Sequence, residues 1–159
     1  DSVRYWVGHD TKIVVDNDRT NEKECEDEQK AIDDIEKELS VDIPRFLYRP
    51  EGLEFKDYNI SKDFEYALLQ YDYNDTIMTL YINKYDKETK STGASLDGKE
   101  IETIKLPEGE ASIQVKRIMA KGDKKASYVA YWNNSTEFYQ IESQMEEKEF
   151  IKLIKNIKF

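Results

Sequence analysis

One cysteine, one histidine, three prolines and six glycines in 159 residues leave out several kinds of protein at once. The single thiol, Cys25, has no partner for an internal disulfide, so a disulfide-stapled scaffold is excluded. Its neighbours Glu24, Glu26, Asp27 and Glu28 disfavour a thiolate, which argues for a plain thiol on a polar helix rather than a nucleophile. With His9 as the sole imidazole, a histidine-dependent triad or a multi-histidine metal site would have to be built around one residue, and His9 reads as a surface side chain. The glycines stand singly at turns and form neither a P-loop nor a dinucleotide pattern. No apolar run approaches the roughly 18 to 20 residues needed to cross a bilayer as a helix. Positive charge is also scarce: 24 Lys and Arg stand against 34 Asp and Glu, a net charge of −10, which argues against phosphate-backbone binding and so against a nucleic-acid partner.

Aromatic residues are plentiful. Eleven Tyr, six Phe and two Trp, within 38% hydrophobic residues, are enough for a core in one domain of ordinary size. The charge is uneven: residues 16–42 carry twelve acids against four bases, a local net of −8, while the chain from residue 43 onward is close to neutral. Inside the acidic stretch, Cys25, Ala31, Ile32, Ile35 and Leu39 recur at helical spacing, which predicts an amphipathic helix from about Glu22 to Leu39 with Thr20 and Asn21 as candidate caps. Before it, Lys12–Val15 reads as a short strand, and Val3, Tyr5, Trp6 and Val7 as a helical or extended lead-in.

Pro44 and Pro50 bracket Arg-Phe-Leu-Tyr-Arg and end any helix. The apolar period then falls to two. Segments 53–60, 64–73, 76–83, 113–120, 126–132 and 137–143 are predicted strands, joined by short polar turns at Asn74-Asp75, Gly122-Asp123 and Asn133-Asn134 that imply antiparallel neighbours. A further strand near 100–106 follows the Asp97-Gly98 turn. Ser143-Gln-Met-Glu146 matches a capping box, opening a helix whose apolar stripe is Phe150, Leu153, Ile154 and Ile157. The fold class expected is α+β: an antiparallel sheet of about six strands, with the N-terminal acidic helix and the C-terminal helix packed on one face. Residues 1–43 form the lead-in, short strand and acidic helix, and 44–159 the sheet with its closing helix, as one compact domain.

Few constellations carry chemistry. Asp16-Asn17-Asp18 opens like a calcium loop, but Asn21 stands where the turn glycine belongs and Asp27 where the bidentate glutamate belongs, so it reads as a loop or capping cluster. No carboxylate pair stands out from a background of 34 acids, and Ser91, Ser95 and Ser127 lack a nucleophile-elbow context. Neither catalytic residues nor a metal or cofactor is expected. The aromatic strands have binding potential, with Tyr66, Tyr71, Tyr81, Tyr128, Trp132 and Tyr139 as the candidate residues. Side chains alternate faces along a strand, so core packing competes with an uncovered aromatic face that would bind a protein segment or an apolar, lipid-like ligand.

Phe46-Leu47-Tyr48-Arg49-Pro50-Glu51-Gly52-Leu53-Glu54-Phe55 resembles the Tyr-x-Pro-Glu-Gly-Tyr opening of domain-of-unknown-function family 4367, a Clostridia-type domain. Tyr131-Trp132-Asn133-Asn134, Phe138-Tyr139-Gln140-Ile141 and Glu146-Glu147-Lys148-Glu149-Phe150-Ile151-Lys152 are similar to its later segments, giving coverage of about residues 44–158. The resemblance implies an extracytoplasmic domain of a Gram-positive cell envelope, held by an upstream transmembrane helix in proteins that resemble anti-sigma factors, with Ser2–Val7 as the juxtamembrane segment. A chain opening on Asp1 agrees with a removed N-terminal part, and contact with a membrane is expected only through that part. The resemblance transfers no catalytic residues. The expected function is therefore non-enzymatic sensing or binding by a membrane-anchored envelope protein. A small-ligand or lipid carrier with an aromatic cavity is the alternative, and an envelope-polymer hydrolase a second.

Overall fold

In the computed structural model the described residues are 4–6, 13–15, 22–84, 98–106, 111–134 and 136–159, with only the backbone course given for 4–6, 13–15 and 22–25. His9, Asp16 to Asp18, Thr20, Asn21, Ser91 and Ser95, and the side chain of Cys25, lie outside them. The predicted acidic helix is α1, Glu22–Leu39, and the lead-in and short strand are β1, Arg4–Trp6, and β2, Ile13–Val15.

Seven strands form the main sheet: β5 (Leu53–Ser61), β6 (Tyr66–Tyr73), β7 (Thr76–Lys84), β8 (Lys99–Lys105), β9 (Ser112–Ile118), β10 (Ser127–Asn133) and β11 (Glu137–Ser143). Their order is β5-β6-β7-β11-β10-β9-β8, antiparallel throughout. The expected six strands are all present, and the segment near 100–106 supplies the seventh as edge strand β8. Both edges are interrupted by a bulge, β5 between Phe55 and Asp57 and β8 between Glu100 and Glu102. Bulged, charge-rich edges resist pairing with further strands.

The segment between the two prolines does more than stop a helix. Its first half, β3 (Arg45–Phe46), pairs with the C-terminal β12 (Ile157–Lys158), and its second half, β4 (Tyr48–Arg49), pairs with β1. Five residues thus tie both ends of the chain to the body. The Pro-Glu-Gly turn that follows is closed by the Leu53 amide donating to the Pro50 carbonyl (3.1 Å), with Gly52 at φ +91°. A Cβ on Gly52 would stand 2.5 Å from Asn74 Oδ1, so glycine is needed both for the backbone and for the approach of the β6–β7 turn.

Both helices lie on the same sheet face, α1 over β5 and β6, and α2 (Glu147–Lys155) over β10. Ala31, Ile32, Ile35 and Leu39 of α1, with Phe150, Leu153 and Ile154 of α2, are buried against alternate sheet residues such as Leu69, Leu80, Val115 and Ile141. The capping box does not form. Ser143 is the last residue of β11, held extended opposite Tyr128, and its Oγ accepts instead from the Met145 amide at 3.1 Å. The helix therefore opens later, with Glu146 at the cap position making no side-chain cap bond, because that carboxylate is engaged by Tyr73.

Candidate functional site

Alternation along the paired strands assigns each aromatic residue to one of two faces. On the helix-covered face, Tyr71 lies opposite Phe55 and Met78, Trp132 opposite Tyr139, and Tyr128 opposite Ser143. Tyr71, Tyr128, Trp132 and Tyr139 are 1%, 8%, 2% and 0% exposed, so four of the six candidate residues belong to the core. The Trp132 and Tyr139 rings stack at 5.0 Å and 10°, with Phe159 edge-on to both. The Tyr139 hydroxyl donates to the Asp42 carbonyl at 2.7 Å. Tyr66 and Tyr81 are the two candidates on the opposite, helix-free face, 5.7 Å apart and half-buried.

The covered face explains why an acidic helix suits a tyrosine-rich sheet. Tyr58 donates to Asp34 (2.5 Å) and Tyr71 to Glu28 (2.6 Å) on α1, while Tyr73 donates to Glu146 (2.8 Å) and Tyr48 to Glu149 (2.5 Å) at α2. A phenol supplies a donor at the end of an apolar ring, so it reaches across a helix–sheet contact and meets a charged acceptor without breaking the apolar layer. Glu28 also receives Arg49 Nη2 at 2.6 Å, and Glu28, Arg49 and Tyr71 are all at most 3% exposed. Glu36 takes Arg45 at 2.8 Å and Glu38 takes Lys62 at 2.5 Å. Several of the acids that gave residues 16–42 their negative charge are thus directed at the protein's own sheet. Sequence periodicity missed this because charged residues were assigned to the solvent side; Glu28 lies three and four positions before Ala31 and Ile32, on the apolar stripe itself.

These contacts fix a pH dependence. Hydrogen bonding to Asp34, then burial, raises the Tyr58 hydroxyl above its ordinary 10.0, and burial, then the bond to Glu146, raises that of Tyr73. The Glu146 carboxyl is lowered from 4.5 by its own backbone amide and then by Tyr73. A raised tyrosine contributes stability that is complete below pH 10.0 and is lost as pH climbs through the folded-state value; a lowered glutamate contributes above pH 4.5 and loses it as pH falls. Urea midpoints measured across pH should be flat between these limits and fall outside them, and Tyr73→Phe should blunt the alkaline fall. An alkaline limb identical in Tyr73→Phe would contradict the assignment.

Beside α2, a shallow groove of about 350 Å³ is lined by Glu102, Glu147, Lys148, Ile151, Lys152 and Lys155. Two of its lysines are engaged, Lys155 with Glu102 at 3.0 Å and Lys152 over the Tyr48 ring at 4.2 Å. Among the described residues no group of three His, Cys, Asp or Glu is arranged to hold a metal, and no helix is long and apolar enough to cross a membrane.

The helix-free face differs in kind. Along β6 it carries Tyr66, Leu68 and Gln70, set opposite Asn83, Tyr81 and Thr79 of β7. All six are half-buried, and carboxylates border them: Asp72 continues the β6 row opposite Ile77, Asp57 of β5 pairs with Gln70, and Glu142 of β11 pairs with Thr79. Asn83 Nδ2 donates to the Tyr81 hydroxyl at 3.1 Å. Phe64, at the turn leading into β6, is 77% exposed. Nearer β10, Phe138 and Val129 on the same face are buried.

The molecule is thus an α+β domain with one sheet face backed by two helices and the other bearing half-buried tyrosine rings on β6 and β7. The chain belongs to the family described as Domain of unknown function (DUF4367), whose model matches residues 43–157. No curated protein and no solved structure gives a significant match.

Proposed function

We propose that this domain is a non-enzymatic, extracytoplasmic sensing or binding domain of a membrane-anchored envelope protein, and that it binds through the helix-free face of its sheet. The observation that carries the binding reading is the division of the sheet. One face is consumed by packing and by tyrosine–carboxylate contacts, while β6 and β7 keep half-buried tyrosine rings on the other. The non-enzymatic reading is supported by the carboxylates: Glu28, Asp34, Glu146 and Glu149 each accept a tyrosine hydroxyl on the covered side, a use that stabilises the fold. A carrier would need room among the core rings, whereas Tyr71 and Trp132 are packed ring against ring. The extracytoplasmic and anchored parts rest on the family resemblance. An anchor upstream of β1 would pull on β4, whose Arg49 sits in the buried cluster with Glu28, so a tether there would be coupled to the core.

The test is topology in the native cell. With the full reading frame expressed, protease added to intact, wall-stripped cells should cleave this domain while sparing a cytoplasmic marker, and the domain should sediment with membranes. Protection until the membrane is lysed, or release into the soluble fraction, would refute the reading.

A further inference from the structure

Resting on the proposed membrane anchorage, we infer that the β9–β10 hairpin docks on an anionic lipid surface, a direct contact in addition to the anchor. Its basis is a concentration of positive charge in a chain of net −10. Lys121 and Lys124 stand on the hairpin turn, Lys125 follows them, and Arg117 of β9 lies directly opposite Lys99 of β8. All five are exposed, and among the described residues none is in a salt bridge. The bordering acids are fewer. Asp123 is bound within the turn, where its carboxylate accepts from the Ala120 amide at 3.0 Å. Glu146 lies near Lys125, which helps to lower its carboxyl, and Glu100 lies opposite Lys116, itself placed over the Tyr131 ring. The corner is therefore net positive. Clusters of this kind are attracted to anionic bilayers, each cation near the surface adding to the partition. The acidic helix does not cancel the attraction. α1 packs over β5 and β6, at least three strand spacings from the hairpin, on the order of 14 Å. Charges that far apart are largely screened at physiological salt, where the Debye length is about 8 Å.

Two further observations favour a bilayer over a soluble polyanion. Met119, 47% exposed, stands among the cations just before the turn, and a flexible apolar side chain there can enter the acyl boundary while the lysines meet headgroups. A dissolved polyanion has no use for it. The turn also stands clear of the body, since a Cβ on Gly122 would meet nothing within 4 Å. The second observation is where the chain enters. β1 begins at Arg4, paired with Arg49, beside the Pro50 turn that leads to Leu53. Leu53, Tyr73, Ser143, Ser127 and Ile118 all lie at one end of the paired strands, and the last two are the feet of the hairpin. An anchor upstream of β1 would therefore hold toward the bilayer the same sheet end that carries the cations.

The probe is vesicles, either of phosphatidylcholine alone or of phosphatidylcholine with an equal share of phosphatidylglycerol, mixed with the whole chain and sedimented in the presence of a chelator. The chain should sediment with the anionic vesicles, remain in solution with the neutral ones, and be released by added salt. Lys121→Ala with Lys124→Ala should weaken the partition at least about tenfold. Met119→Ser, which removes only the apolar contact, should weaken it about threefold. Taking the same number of lysines from elsewhere, Lys148→Ala on α2 with Lys158→Ala on β12, should change it by less than about twofold. All these side chains are exposed, so urea midpoints equal to wild type show that folding is unaffected. Equal behaviour with neutral and anionic vesicles, or equal losses in the two double variants, would overturn the assignment. Retention by heparin without sedimentation on anionic vesicles would also overturn it, in favour of a soluble polyanion. The topology experiment above reads location alone, so a domain found outside the membrane whose chain ignores anionic vesicles fails here and not there.

Discussion

Glu28→Ala is expected to destabilise the domain by about 3–5 kcal/mol, the range for removing one partner of a buried ion pair. Glu28 bridges α1 to two separate parts of the fold, Arg49 on β4 and Tyr71 on β6, each at 2.6 Å and each almost wholly buried. Truncation removes the carboxylate from a guanidinium that is 3% exposed, and it leaves a small void beneath the helix. Tyr71→Phe, which deletes one hydrogen bond to a charged group and keeps the ring, should cost about 1.5–3 kcal/mol. The double variant Glu28→Ala, Tyr71→Phe should cost less than the sum of its parts, because the two act on one contact. Urea unfolding of the four proteins measures all of this. A Glu28→Ala midpoint within error of wild type would mean that the cluster does not hold α1 in place.

The second large effect separates the two faces. Trp132→Ala should cost about 3–5 kcal/mol, because it empties a fully packed site stacked on Tyr139 and capped by Phe159. Among the described residues the indole Nε1 has no hydrogen-bond partner, so the contribution is packing, and Trp132→Phe should recover most of it. On the opposite face Tyr81→Ala should cost only about 1 kcal/mol, the scale of a cross-strand pair. Comparable losses from Trp132→Ala and Tyr81→Ala would contradict the division into a core face and a binding face.

Much of the architecture could be read in the residue pattern. The helix from Glu22 to Leu39 appears with the bounds that its apolar stripe implied, and the strands fall where period-two segments end at polar turns. Local rules work there because helix and strand formation depend on neighbours within a few residues. The capping box failed for a complementary reason. Ser143 satisfies the local motif, but its pairing across from Tyr128 keeps it in a strand, and a long-range ladder outweighs a local cap. The candidate residues behaved similarly. Alternation separated Tyr66 from Tyr71 along one strand, yet nothing in the sequence said which face the helices would cover.

What the sequence by itself determined is the class of object: α+β, antiparallel, with two amphipathic helices whose single apolar stripes must lie on a sheet. The Pro-Glu-Gly segment was legible only as a family signature, and the structure shows it to be a turn with Gly52 at φ +91°. Tertiary structure alone decided the strand order, the joining of both chain ends at residues 45–49, and the inward direction of the helix acids. Pairing brings Glu28 to Tyr71 across 43 positions and Tyr48 to Glu149 across 101. A carboxylate has no local signal for whether it meets water or a phenol. Its environment is set by the surface on which its helix docks, so the net charge of −10 describes the composition, and the fold decides how much of it faces solvent.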